Sequence, residues 1–244
     1  LFEALAPPKD DVAADRTGED LGLMSVRVLM FDTETNGLPK NKHAPYTMPE
    51  FWPAILQLSW AIYGVVEVAG MRSLRLESRK DLGLALDPAI PWDAGAAAVH
   101  GIREEDARTG GAPVLRALTE FSEALRSVDV IVAHNLAFDK AVIRAAGYRV
   151  GLRDLWPSPS QDFCSMMATR KLVNLPPHPN DPQMRPKSPR LGELYEFIFG
   201  HRYDMLGDHF HAAKSDVHCL AQCLQGLLRK GHMVCRDGCL SMAA

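Results

Sequence analysis

Four carboxylates and one imidazole fall in three short segments of the chain: Phe31-Asp32-Thr33-Glu34-Thr35, His134-Asn135-Leu136-Ala137-Phe138-Asp139, and His211 followed by Asp216. Brought together, such a set could hold two divalent metal ions against a phosphodiester and draw a proton from the attacking water. A metal pair clamps both the attacking and the leaving oxygen of an in-line displacement. Taken singly, each segment says little. Asp-x-Glu pairs are common on exposed strand faces, and Asp139 in the first turn of a helix could simply favour the helix dipole. Asp32 and Glu34 gain weight from their position. They follow the wholly apolar Val28-Leu29-Met30-Phe31, and their alternation puts both on one face of a strand, where carboxylates are costly unless paired with cations. On one regular helix His211 and Asp216 would stand about 140° apart, from five steps of roughly 100°. Asp216 is therefore expected on a helix and His211 in the loop leading into it. Histidine best suits a general base near neutral pH, and His209 is the second choice.

The elements that must position these groups can be read from patterning. Residues 25–31 form a β-prone run ending at Asp32, with Asn36-Gly37 as a turn signal. Further strands are expected over 54–63 and 68–76, with a turn near Gly64, which makes an antiparallel three-strand meander. Helices follow. Pro113 stands at the start of a segment whose Leu115, Leu118, Phe121 and Leu125 recur at helical spacing. Asp129-Val130-Ile131-Val132-Ala133 reads as a compact buried strand and 136–146 as helix. The order β-β-β-α-β-α predicts a mixed α/β sheet with helices packed on it. Six prolines between Arg170 and Arg190 exclude regular helix or central strand there. That loop carries Arg170, Lys171, Arg185, Lys187 and Arg190 against the single acid Asp181. It fits either contact with a phosphate backbone or a charged, solvated insertion. A closing helix over 212–230 shows one apolar stripe through Val217, Leu220, Ala221, Leu224, Leu227 and Leu228.

With 244 residues, 47% hydrophobic and 23% charged, the chain can bury one substantial core. The expected organisation is an acidic, flexible lead over 1–24, one domain over 25–230 with a proline-rich insertion at about 174–190, and a tail over 231–244. The lead holds six acids against Lys9 and Arg16, unlike an Arg-rich import peptide. No apolar run approaches the roughly 18 to 20 residues that span a bilayer, and no basic start with an apolar stretch marks secretion. Five cysteines without a secretory signal are expected as reduced thiols in an intracellular compartment, the cytoplasm first, with nucleus or organelle kept open. Cys219, Cys223, Cys235 and Cys239 could be taken for a zinc site. The Cys-x3-Cys spacing is not the usual one, and Cys219 and Cys223 fit one core-facing helical turn. The net charge of −3 supplies no global field for nucleic acid, so such a substrate must be held by metals and local contacts.

The three segments resemble the three sequence motifs of the DnaQ-like exonucleases, in the DEDDh branch of the RNase H-like superfamily, to which the proofreading subunit of bacterial replicative polymerase belongs. Phe31 to Pro39 is close to the first motif, His134-Asn135-x-x-Phe138-Asp139 matches the second, and His211-x4-Asp216 matches the third. Ile55-Leu56-Gln57-Leu58, Val99-His100-Gly101-Ile102 and Leu191-x2-Leu194 agree as well. The stretch 40–52 and the proline-rich loop look longer than in compact members. The resemblance implies a mixed five-stranded RNase H-like sheet flanked by helices, and two Mg²⁺ or Mn²⁺ ions held by Asp32, Glu34, Asp139 and Asp216. His211 would be the general base, and Thr35, Leu38, His100, Ile102, Asn135 and Phe138 would contact the terminal nucleotide. It further implies 3′-to-5′ exonuclease activity on single-stranded nucleic acid, DNA favoured over RNA, with a polymerase or larger complex as a possible partner and no membrane. An RNA-trimming exoribonuclease and a non-catalytic subunit stand as alternatives.

Overall fold

The alternation inside Val28-Leu29-Met30-Phe31 decides the architecture, because each successive side chain enters a different core. In the computed structural model, which describes residues 26–68, 70–156, 161–203 and 212–243, this run lies in strand β1 (Arg27–Thr35). The chain continues through β2 (Ile55–Val68), β3 (Met71–Gly83), helices α1 (Ala94–His100), α2 (Glu104–Thr109) and α3 (Val114–Arg126), then β4 (Val130–Ala133), α4 (Leu136–Arg149) and β5 (Gln161–Cys164). Helices α5 (Ser165–Val173), α6 (Leu191–Phe199) and α7 (Ala213–Arg229) follow, then β6 (Met233–Arg236) and β7 (Cys239–Met242). The main sheet has the order β3-β2-β1-β4-β5. Its first three strands pair antiparallel, and β4 and β5 join in parallel. The expected mixed five-stranded sheet is present.

Val28 and Met30 pack with Val130, Val132, Leu194, Ile198, Val217, Leu220 and Leu224, so α6 and α7 cover one face. Leu29 and Phe31 pack with Ile131, Leu118, Phe121, Leu125, Val142 and Ile143, so α3 and α4 cover the other. Both faces of the central strands are dry, which explains why β4 is apolar at every position.

Several expectations need correction. β1 does not stop at Asp32; it runs to Thr35, paired with β2 throughout. Gly64 is no turn but lies within β2, opposite Arg75. Both strands of that hairpin are longer than expected, and Gly70, with φ of 77°, lies between them. α5 extends through Arg170 to Val173 before the proline-rich loop begins at Asn174, whose φ is 49°. Residues 233–242 are not a featureless tail. They form the β6–β7 hairpin, with Asp237 and Gly238 both at positive φ, and Met233, Cys235 and Leu240 join the α7-side core. Cys219 and Cys223 are buried on α7 as expected, and all five cysteines are free thiols. Among the described residues no helix is long and apolar enough to cross a membrane. The acidic lead over 1–24 lies outside the described residues.

Candidate active site

The two-residue period that sends Val28 and Met30 toward α7 carries on to Asp32 and Glu34. Both carboxylates therefore emerge on the α7 side at the carboxyl end of β1. Asp216, in the first turn of α7, meets them there. One carboxylate oxygen from each of Asp32, Glu34 and Asp216 lies within 4.8 Å of the others, the spacing of a shared cation.

Apolar packing seats α7 on the sheet, and Gln57 ties its first turn to that spot. Gln57 is the cross-strand partner of Glu34 on β2 and so shares its face. Its Oε1 accepts the Ala213 backbone N–H at 3.1 Å, satisfying one of the donors that a helix start leaves free. Its Nε2 donates to Asp81 Oδ1 at 2.9 Å, and Ser59 Oγ donates to the same oxygen. In sequence Gln57 is no more than a minor shared feature of the resemblance. A polar side chain in the apolar run Ile55-Leu56-Gln57-Leu58 was the available signal.

Asp139 arrives from the opposite side of the sheet and is not one of the three clustered ligands. Pairing between β1 and β4 covers only Val28 to Met30, so the first turn of α4 fills the space beside the end of β1. Thr33, one step out of phase with Asp32 and Glu34, points that way, and its Oγ1 donates to Asp139 Oδ1 at 2.7 Å. The same carboxylate accepts the Thr33 backbone N–H. Asp139 is only 3% exposed, yet it raises the proton affinity of Asp32, so it belongs to the same electrostatic unit. Thr33 went unnoticed in the sequence because a β-branched residue in a strand needs no further explanation.

Burial, reinforced by mutual repulsion, governs the charge state of the site. Asp32 is pushed well above the usual carboxylate range, first by loss of hydration and then by Asp139, Asp216 and Glu34. Glu34 is pushed up to about 8, again by burial first and then by Asp216 and Asp139. For Asp139, burial outweighs the opposing Thr33 hydrogen bonds, with a further push from Asp216, and its pKa rises to about 7. Without a cation these groups hold protons near neutrality. A divalent ion would displace those protons, and an all-oxygen donor set suits a hard cation.

The residues expected at the terminal nucleotide are differently placed. Leu38 is 84% exposed on the loop after β1. That loop is fixed by Asn36, which accepts from the Ala54 N–H at 2.6 Å and donates to the Pro91 carbonyl at 3.0 Å. Thr35 is buried, and its hydroxyl donates to the Gly37 carbonyl within the same loop. His100 is buried at the end of α1, where its Nδ1 accepts the Ile102 N–H at 3.0 Å. Ile102 lines a cleft of about 440 Å³ that also includes Gln57, Gly83 and Gly110. Asn135 is exposed and caps α4 with φ of 79°, while Phe138 packs against the α3/α4 core. His211 and its rival His209 lie outside the described residues.

No family model matches the chain. Among solved structures, E. coli exonuclease I in complex with a dT13 oligonucleotide superposes with a TM-score of 0.60 at 18% identity, covering 84% of this chain and 42% of that one. Exonuclease I from Methylocaldum szegediense gives 0.56 at 19% identity, covering 83% and 40%. A zinc-bound form of the E. coli exonuclease I–ssDNA complex gives 0.58 at 17% identity, over 83% and 40%. In sequence, 144 residues are 27% identical to the PolC-type DNA polymerase III of Listeria welshimeri, covering 59% of this chain and 8% of that protein. The chain thus spans less than half of the exonuclease I structures and under a tenth of the polymerase. Its fold is that of the exonuclease I structures.

Proposed function

We propose that this chain is a metal-dependent 3′-to-5′ exonuclease that hydrolyses terminal phosphodiesters of single-stranded nucleic acid, DNA favoured, and releases nucleoside monophosphates. The observation that carries the reading is the convergence of Asp32, Glu34 and Asp216 within 4.8 Å, from two elements more than 180 residues apart in sequence. The polymerase match supports a proofreading or repair setting for the same chemistry.

Asp32, Glu34 and Asp216 would hold Mg²⁺ or Mn²⁺, and Asp139 with Asp32 would help to hold a second ion. Bound there, the ions would lower the pKa of the attacking water and neutralise charge that develops on the phosphate. The protein's own part is positional. Thr33 orients Asp139, Gln57 seats the helix start that carries Asp216, and the Asn36 hydrogen bonds present Leu38 beside the terminal nucleotide. His211, in the segment leading into α7, is assigned the proton from water.

End-labelled single-stranded DNA and RNA, incubated with Mg²⁺ or with chelator beside an Asp32→Ala variant, test this reading. Stepwise shortening from the 3′ end that stops with chelator and in the variant is expected. Chelator-resistant degradation, or a fully active Asp32→Ala protein, would overturn it.

A further inference from the structure

The proline-rich segment 174–190 connects α5 to α6, both of which contribute to the α7-side core. It therefore joins two helices packed on the sheet face toward which Asp32, Glu34 and Asp216 point. The segment is also fastened at the carboxyl end of β4, beside the site. Pro189 is buried, and its carbonyl accepts from His134 Nε2 at 3.0 Å. That bond leaves Nδ1 of the neutral ring to accept from Ser165 Oγ at 3.0 Å. His134 immediately precedes Asn135, the residue that starts the Asp139 helix. At the segment's other end the Lys187 N–H donates to the Leu175 carbonyl at 3.2 Å. Prolines and these two ties hold the loop in shape, so cations on it are presented with little ordering entropy left to lose.

Those cations are Arg185, Lys187 and Arg190, all exposed, opposed within the loop by Asp181 alone. Arg190 adjoins the pinned Pro189, and Arg185 is four residues from it, at most roughly 14 Å along an extended chain. Arg185 pairs with the half-buried Asp181 and Lys187 with the half-buried Glu193, the two cations themselves being exposed. Such pairs contribute little stability and can be exchanged for phosphate. In a chain of net charge −3, these three cations form a local positive track fastened at the carboxyl end of β4.

Building on the exonuclease reading above, we propose that the 174–190 loop is a fixed arm that grips the sugar-phosphate backbone of the single strand on the 5′ side of the scissile bond, through Arg185, Lys187 and Arg190. The arm supplies the backbone affinity that the chain's overall charge does not.

The test uses the full chain with Arg185→Gln, Lys187→Gln and Arg190→Gln combined. Fluorescence anisotropy of a labelled dT20 strand in chelator reads binding. Hydrolysis of thymidine 5′-monophosphate p-nitrophenyl ester with Mn²⁺ reads the site without any upstream phosphate. We expect binding at low salt to fall at least tenfold and the slope of log affinity against log salt to shrink by about 2, near 0.7 per lost contact. Hydrolysis of the ester should stay within twofold. Unchanged binding and slope, as for a protein-docking loop, would overturn the arm. So would an equal loss on the ester, or an equal binding loss when Arg72, Arg75 and Arg79 on β3 are changed to Gln instead. A wild-type protein that binds dT20 but hydrolyses neither the strand nor the ester would refute the exonuclease reading while leaving the binding result on the arm intact.

Discussion

The Thr33 hydroxyl donates to Asp139 Oδ1 at 2.7 Å at the carboxyl end of β1, and this bond ties a carboxylate from the α4 face to the strand that carries Asp32 and Glu34 on the α7 face. Thr33→Val keeps shape and β-propensity but removes the donor. Because that hydrogen bond favours the ionised carboxylate, Asp139 should then titrate above its present value of about 7. We expect nuclease activity to fall by about 10- to 100-fold, the usual cost of losing a group that orients a metal ligand, and the acid limb of the pH–rate profile to move upward. Thr33→Ser should restore both. A Thr33→Val enzyme with an unshifted profile would show that the bond only fills space.

Gln57 is a positioning residue for Asp216. Replacing it with Leu deprives the Ala213 N–H of its acceptor and Asp81 of one donor. The loss of stability should be about 2 kcal/mol, since each of the two hydrogen bonds is worth roughly 1 kcal/mol net. The start of α7 would no longer be registered to Glu34, and kcat should fall more than tenfold while the melting temperature drops by only a few degrees. Parallel measurements of kcat and thermal melting separate this from general unfolding, in which both would collapse together.

Much of this was legible because two periods dominate the chain. The alternation through Val28 to Glu34 placed Asp32 and Glu34 together, and the apolar stripe from Val217 to Leu228 gave α7 and hence Asp216. What escaped notice depended on tertiary context. Gly64 reads as a turn, yet Tyr63, Val65 and Val66 keep the strand going, and pairing with β3 decides the matter. β5 is four residues with Asp162 exposed, too short and too polar to announce itself before β4 is in place beside it. The Asp237-Gly238 hairpin was a missed signal rather than a hidden one, because that dipeptide supplies the two positive φ angles such a turn needs. Thr33 and Gln57 could not be recognised from their residue types, since each role exists only once another element arrives.

The contact between α6 and α7 offers a stability test remote from the chemistry. A Cβ on Gly226 would stand 2.5 Å from Ile198 Cγ2 and 3.1 Å from Phe199 Cζ. Ile198 is 1% exposed and β-branched, so it has little room to move. Gly226→Ala would gain about 1 kcal/mol of helix propensity but incur overpacking of about 1 to 3 kcal/mol. The expected result is a net loss and a melting temperature lower by a few degrees, with metal affinity unchanged. A stabilised variant would mean that α6 slides away from α7 without resistance.

Stability should depend on pH in a direction set by the crowded carboxylates. Asp32, Glu34 and Asp139 all have folded-state pKa values above their ordinary ones, so between about pH 4 and 8 the folded protein binds more protons than the unfolded chain. The slope of unfolding free energy with pH is then negative for these groups. Their contribution is fully present below about pH 4 and is lost as pH rises through the folded values, near 7 for Asp139 and 8 for Glu34. Metal-free protein should therefore melt at a lower temperature at pH 8.5 than at pH 6. Mg²⁺ or Mn²⁺ acts oppositely, because binding requires the deprotonated cluster. At a hundred times its dissociation constant, an ion adds about 2.7 kcal/mol, or roughly 5 to 10 °C for a domain of this size, and the gain should be larger at pH 8.5. Asp32→Asn removes one of the mutually repelling charges and one ligand, so it should flatten the metal-free slope and abolish most of the metal shift together. If melting without metal were insensitive to pH over this window, or if the variant kept the full metal shift, Asp32, Glu34 and Asp216 would not be acting as one cation site with Asp139 beside them.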